Sequence, residues 1–274
     1  MSIDSGGLAS AAPFPRLRTA YLRAIAQAWR DQKFLDQLLE ESKGPYGVLP
    51  FLERTYHFNF PFNVKFAISA GCDRPHWKPN ETLGWFAYSD DIEITLPDAP
   101  SAEHLAHHKG GTHADAIALY CEWFPSMFGL PTDPGHSAQP PDDFAQFGVI
   151  TARLLAMTWQ KAKDKDKDKV CGFDKDKSFA EQLYESDDAR MLVQSSIGVV
   201  VHWNFKLKFR HMPWDCFWDC LDYTNEFKYP EKYKAPPRAA ITVHLPVKPD
   251  QEAVWPIALA AYNDTGPQYP FTCA

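Results

Sequence analysis

The residues best suited to chemistry stand in three places. The first is His104-Leu-Ala-His-His-Lys-Gly-Gly-Thr-His113. His104 and His108 at i and i+4 share one face of a helix, and His113, with Asp115 nearby, is close enough in sequence to fold back as a further imidazole ligand. His107 completes the set of four. The second is Cys216 and Cys220, also at i and i+4, in Trp214-Asp-Cys-Phe-Trp-Asp-Cys220. Two thiols do not close a zinc site, and only His211 lies close by, so these read as buried structural cysteines beside two tryptophans. The third is the terminus, Tyr262-Asn-Asp-Thr-Gly-Pro-Gln-Tyr-Pro-Phe-Thr-Cys-Ala274. Cys273 carries the best nucleophile there, Thr272 the next and Thr265 a third, because a thiolate attacks a carbonyl far more readily than a hydroxyl does near neutral pH. Pro267 and Pro270 oppose helix and favour an extended segment that an external active site can capture.

Other catalytic patterns are missing. The chain has no G-x-S-x-G, P-loop, G-x-G-x-x-G or H-E-x-x-H motif, and its carboxylates form no recognisable acid/base pair. No catalytic residue and no cofactor is expected. The net charge of −7 lacks the clustered Lys and Arg that phosphate binding needs, which argues against nucleic acid. No apolar run is long enough to span a bilayer, and the opening Met1-Ser-Ile-Asp-Ser-Gly-Gly is not a signal sequence, so cytoplasmic synthesis with reduced cysteines is expected.

The elements that must position these residues occur twice. Arg23, Ala26 and Trp29 are answered by Arg153, Ala156 and Trp159 at the same spacing. Phe34-Leu-Asp-Gln-Leu-Leu-Glu is answered by Phe179-Ala-Glu-Gln-Leu-Tyr-Glu, and Phe62-Asn-Val-Lys-Phe66 by Phe205-Lys-Leu-Lys-Phe209. The pattern I-x-[IV]-x-L-P-x-x-P runs from Ile92 to Pro100 and again from Ile241 to Pro249, and Ile117-Ala-Leu matches Ile257-Ala-Leu. Blocks repeated in one order over this length indicate a duplicated domain rather than a solenoid. The reading is a flexible tail at 1–16, repeat 1 at 17–130, a linker at 131–144 rich in Pro, Gly and Asp, repeat 2 at 145–262, and a C-terminal tail at 263–274.

Within repeat 1, Leu22, Ile25, Trp29, Phe34 and Leu38 recur at helical spacing, broken near Asp31. Alternation from Tyr56 to Ser69 predicts a strand, as do Leu83 to Tyr88 and Asp91 to Leu96, and Ala114 to Phe124 returns to helix. Repeat 2 follows with helices at Phe147 to Trp159 and Ser178 to Tyr184, strands at Ile197 to Phe209 and Ala239 to Leu245, and a helix at Glu252 to Tyr262. The fold class is α+β. Two differences separate the copies. Repeat 2 has a longer connection containing Lys161-Ala-Lys-Asp-Lys-Asp-Lys-Asp-Lys169, a solvated run without chemistry, and repeat 1 alone carries the histidine segment.

Ala28-Trp-Arg-Asp-Gln-Lys-Phe-Leu-Asp-Gln-Leu-Leu39 resembles the A-W-x-D-x-x-F-x-x-x-L-L segment of the nitrile hydratase α subunit and of leader peptides derived from it. The doubled form ending in Tyr-Pro-Phe-Thr-Cys resembles two-repeat bacteriocin precursors of the thiazole/oxazole-modified microcins. The resemblance implies a tandem duplication of a nitrile-hydratase-α-like unit with two N-terminal helices, strands and a C-terminal helix. It also implies a ribosomally made precursor whose folded leader is recognised by a cyclodehydratase or other tailoring enzyme acting on the tail, followed by a protease and an exporter that secretes the product. Nitrile hydratase holds its metal in a C-x-x-C-S-C claw, which this chain lacks. On this reading Arg30, Asp31, Lys33 and Asp36 form the face offered to the modifying partner, while Trp29, Phe34 and Leu38 pack inward. Two rivals stand beside it: a non-catalytic adaptor of nitrile-hydratase-like fold, and a metal-dependent enzyme using the His104 to His113 cluster.

Overall fold

The computed structural model describes residues 13–60, 64–71, 74–78, 84–86, 90–107, 111–127, 142–160, 177–199, 205–218, 237 and 239–265. In chain order the elements are α1 (Pro13–Arg30), α2 (Gln32–Glu41), α3 (Leu49–Tyr56), β1 (Val64–Ser69), β2 (His76–Trp77), β3 (Trp85–Phe86), β4 (Asp91–Pro97), α4 (Ala102–His107), α5 (His113–Met127), α6 (Asp142–Trp159), α7 (Phe179–Glu185), α8 (Arg190–Ile197), β5 (Lys206–Met212), α9 (Trp214–Trp218), β6 (Ala239–His244), a 3-10 turn (Glu252–Val254) and α10 (Trp255–Thr265). The main sheet has the order β1-β6-β4-β5, and β2 and β3 form an antiparallel pair. The fold is α+β, a tandem duplication.

The helix starts follow from local chemistry. Asp31 sits in an extended conformation, and its carboxylate accepts from the main-chain N–H of Lys33 (2.9 Å) and Phe34 (3.3 Å), so it ends α1 and caps α2. Such a cap stabilises by about 1 kcal/mol. Ser178 and Glu181 form a reciprocal capping box at the start of α7. Along α1, Leu17, Tyr21, Ala24, Ile25, Ala28 and Trp29 are buried at helical spacing, and α2 buries Phe34 and Leu38.

The compact units interleave the two sequence copies. Unit 1 comprises residues 1–61, 66–89 and 242–274; unit 2 comprises 62–65 and 90–241. Each unit therefore takes its first helices from one copy and its closing strand and helix from the other. Trp29 Nε1 donates to the carbonyl of Pro246 at 3.1 Å in unit 1, and Trp159 Nε1 donates to the carbonyl of Pro97 at 3.0 Å in unit 2. The two prolines close the two Leu-Pro patterns. The repeated sequence thus encodes one device, built twice by exchange of partners.

In unit 2, β4 and β5 pair in parallel from Asp91↔Lys206 to Pro97↔Met212. Ile92 and Ile94 face Leu207 and Phe209 on the buried side, whereas Asp91 and Glu93 face Lys206 and Lys208 on the other.

Three elements differ from the sequence expectation. The alternation at Tyr56 to Ser69 gives a strand, among the described residues, only from Val64, and its start is taken by α3, which has Pro50 in its first turn and ends at His57 in a left-handed conformation. Likewise Ile197 is the end of α8, and Gly198 (φ 74°) is its left-handed cap rather than the start of a strand; β5 begins at Lys206. The strand expected at Leu83 to Tyr88 is limited, among the described residues, to Trp85–Phe86. Val200 and Val201 lie outside the described residues.

Candidate functional site

The α1–α2 corner places Trp29, Phe34 and Leu38 inside, at 4%, 7% and 0% exposure. Arg30, Asp31, Lys33 and Asp36 are all exposed. They are not equivalent. Asp31 is the α2 cap, and Asp36 accepts from Gln32 Nε2 at 2.8 Å within the helix. Asp31 and Asp36 are thus engaged within α2, while Arg30 and Lys33 stand exposed beside them.

Behind this corner lies an aromatic cluster. Trp29 stacks on Trp85 (6.2 Å between centroids) and meets Trp255 (6.1 Å), and Trp85 meets Trp77 (5.4 Å) and Tyr262 (5.5 Å). Trp85 Nε1 donates to the carbonyl of Ala258 at 2.7 Å, which fixes α10 against β3. Trp77 Nε1 is buried without a hydrogen-bond partner among the described residues. A cavity of about 310 Å³ lies beside Trp77, with Lys248, Asp250 and Gln251 on its wall. Lys248 Nζ sits 4.8 Å from the centroid of the Trp255 ring.

Of the histidine segment, the described side chains of His104 and His113 turn to separate partners. Ser101 Oγ accepts from His104 N–H (3.2 Å), and the ring Nδ1 of His104 accepts from Ser101 N–H (3.2 Å), a capping box with histidine in the role usually taken by Glu. Ser101 Oγ is also 2.9 Å from Nδ1, and Nε2 lies 2.6 Å from Asp215 Oδ1. Accepting at Nδ1 leaves the proton on Nε2 to donate to Asp215, a tautomer set by the network. Both ring nitrogens are engaged, and the ring stacks on Trp214. His113 meets Trp159 instead, at 5.9 Å. The side chain of His107 and all of His108 lie outside the described residues. Among the described residues no group of three His, Cys, Asp or Glu is placed to hold a metal. The Ser101–His104 spacing was visible in the sequence, but Asp215 belongs to a distant segment and only the fold brings it there.

The cysteines also need a correction. Cys216 is exposed and free, not buried, because α9 turns Trp214 and Phe217 inward at i and i+3 and so turns Asp215 and Cys216 out. Cys220 lies outside the described residues. Cys121 is likewise exposed and free, and partial burial raises its thiol pKa, which lowers its thiolate fraction.

On the polar side of β4 and β5, Lys208 Nζ meets Asp91 Oδ2 and Asp187 Oδ1, each at 2.9 Å, and Lys206 Nζ meets Asp187 Oδ2 at 2.8 Å. The hydrogen bonds from Lys206 and Lys208 hold the Asp187 carboxyl down to about 2. Arg210 Nε lies 3.4 Å from Glu93 Oε1, and Nη2 donates to Thr95 Oγ1 at 3.0 Å.

Of the residues expected to be modified, Thr265 is the last residue of α10. Thr272 and Cys273 lie outside the described residues. Among the described residues no helix is long and apolar enough to cross a membrane.

A protein-family model described as a ribosomal natural product, two-chain TOMM family, matches the chain twice, at residues 13–127 and 142–270. No curated protein and no solved structure matches it.

Proposed function

Because the chain belongs to the two-chain TOMM family of ribosomal natural products, we propose that it is a precursor whose folded two-copy part is recognised by modification enzymes that act on the C-terminal tail. The family match across both copies carries this reading. The nitrile-hydratase likeness of each copy is part of it and is supported by the Ala28 to Leu39 segment. The exposed corner of Arg30, Asp31, Lys33 and Asp36 is the face offered to the enzymes, with Asp31 also serving as the cap of α2. The chain is then substrate rather than catalyst, synthesised in the cytoplasm, with its product released by a protease and exported.

Cys273 is the principal reacting residue, followed by Thr272 and Thr265. Its thiolate attacks the carbonyl carbon of Thr272, and the carbonyl oxygen, activated by phosphate from ATP, departs with the amide proton. Net loss of water leaves a thiazoline, about 18 Da lighter; removal of two further hydrogens by a flavin gives the thiazole, about 20 Da lighter.

Tandem mass spectrometry after co-expression with the producer's azole-forming enzymes tests the proposal. The expected loss localises to Thr272-Cys273, is absent in Cys273→Ser, and diminishes when Arg30, Lys33 and Asp36 are reversed in charge with Asp31 untouched. An unmodified Cys273, with Cys273→Ser retaining all biological activity, overturns it and favours the adaptor reading.

A further inference from the structure

The outer strands of the main sheet present unlike edges. In β5, Lys206 N–H donates to the carbonyl of Asp90 at 2.9 Å, and Met212 O accepts from Asp98 N–H at 2.7 Å. With the parallel register from Asp91↔Lys206 to Pro97↔Met212, residues 206, 208, 210 and 212 turn their main-chain groups toward β4. Leu207, Phe209 and His211 turn theirs outward. Leu207 is covered: its N–H donates to Asp188 Oδ1 at 3.3 Å, and its carbonyl accepts from Ala189 N–H at 2.6 Å. The outward N–H and C=O of Phe209 and His211 have no partner among the described residues.

The corresponding edge of β1 is closed. Leu245 N–H donates to Ser69 O, so Phe66 and Ile68 face outward. Phe66 N–H donates to Tyr46 O at 3.1 Å, and its carbonyl accepts from Val48 N–H at 2.7 Å. Ile68 N–H donates to Ser42 Oγ at 2.6 Å, and the same hydroxyl donates to Ile68 O at 3.0 Å. The cause is helix length. α2 has ten residues and delivers Ser42 to this rung, whereas α7 has seven and hands on to an extended Ser186 (φ −69°, ψ 126°). Asp187 then turns to the lysines instead.

We propose that the outer edge of β5 across Phe209–His211 takes up an acidic extended segment of a partner protein as an added strand. An unpaired strand edge is a template for main-chain pairing. A second copy of this chain is a poor occupant. Antiparallel self-pairing that matches Phe209 with His211 of the other copy sets Arg210 against Arg210 in the close, non-hydrogen-bonded position, about 4.5 Å between Cα atoms, and like charges directly opposite destabilise. The same position favours a carboxylate. Arg210 is exposed, and its Nη1 has no partner among the described residues, its other contacts running through Nε and Nη2 to Glu93, Thr95 and the carbonyl of Pro237. Phe209 points its ring into the core, so an added strand reads main chain at 209 and 211 and charge at 210. This goes beyond the recognition face on α1 and α2 and holds whether or not the tail is modified.

Residue-resolved hydrogen exchange on the full chain is the test. Alone, the amides of Phe209 and His211 should exchange about tenfold or more faster than those of Phe66 and Ile68. A synthetic hexapeptide alternating Thr and Glu should slow both, and its Thr-Lys counterpart should not. His211→Pro removes one outward donor without touching the β4 ladder and should weaken the peptide's effect at least tenfold. Arg210→Glu should transfer the preference to the Thr-Lys peptide, an outcome that does not depend on the proline variant folding. Protection of both amides in the chain alone overturns the proposal, as does equal protection by the two peptides or none at saturation.

Discussion

The corners that hold Trp29 and Trp159 make the same hydrogen bond, from an indole to the carbonyl of a Leu-Pro proline in the other sequence copy, yet they enclose it to different depths. Trp29 is 4% exposed within Trp85, Trp255 and their neighbours. Trp159 is only half-buried, with Trp214 at 5.8 Å and His113 at its side. The outer edges of β1 and β5 differ in the same sense: the outward main-chain groups of Phe66 and Ile68 are paired, and those of Phe209 and His211 have no partner among the described residues. The hydrogen bond is what the repeated spacing encodes. Its surroundings differ between the copies, with Trp85 against the indole in one unit and His113 in the other. Duplication supplied two frameworks, and divergence closed one more fully than the other.

That contrast is broken most strongly at the tryptophans. Trp29→Ala should cost about 3–5 kcal/mol, the range for a large buried aromatic, whereas Trp159→Ala should cost about half as much because part of its surface already meets water. Urea unfolding measures both, and equal costs mean that the two corners are energetically alike despite their exposures. An intermediate effect is expected at Ser42. Ser42→Ala leaves the N–H and carbonyl of Ile68 without their partner at a buried site and should cost about 1–3 kcal/mol. It should also raise the exchange rate of the Ile68 amide toward that of Phe209, converting the closed edge into an open one; an unchanged rate would mean that Ser42 is not what closes it.

The smallest effect belongs to the charge pairs beside the open edge. Asp187 is held down to about 2 by Lys206 and Lys208, below the ordinary carboxylate value. A depressed folded pKa contributes stability that is present above the unfolded value, near 4, and is lost as pH falls through about 2. Asp187→Asn should therefore lower the unfolding midpoint slightly at pH 6 and by progressively less as pH falls through about 2, with the difference shrinking in high salt. A carboxyl titration of Asp187 at the ordinary value would remove the lysine pairing from the account.

Much of the fold is legible in the residues. The break at Asp31, the α6 ending at Trp159, the cap at Ser178 and the strand at Asp91 all follow from helical or alternating spacing with a capping side chain at the right place. Helices α3 and α8 were hidden because each is only eight residues long and runs into aromatic or β-branched alternation, Phe58 and Phe60 after one, Val199 to Val201 after the other. Gly198 looks the same in sequence whether it opens a strand or ends a helix. The exchange of halves was also illegible, since ordered blocks establish which residues correspond and not which copy each one packs against. For the site, the inward turn of Trp29, Phe34 and Leu38 was readable from periodicity. The double duty of Asp31 and the meeting of His104 with Asp215 needed the chain folded.

The partner of Trp29 lies 217 residues further along the chain. At a synthesis rate of about 5–20 residues per second, an interval of roughly 10–40 s separates the appearance of the indole from that of the carbonyl it binds. During that time α1 waits without its closing helix, and no chain that stops short of Pro246 can complete the unit. An enzyme that docks only on the finished α1–α2 corner would thus be timed by translation itself, ignoring chains truncated before Pro246 and engaging a molecule only after β6 has arrived.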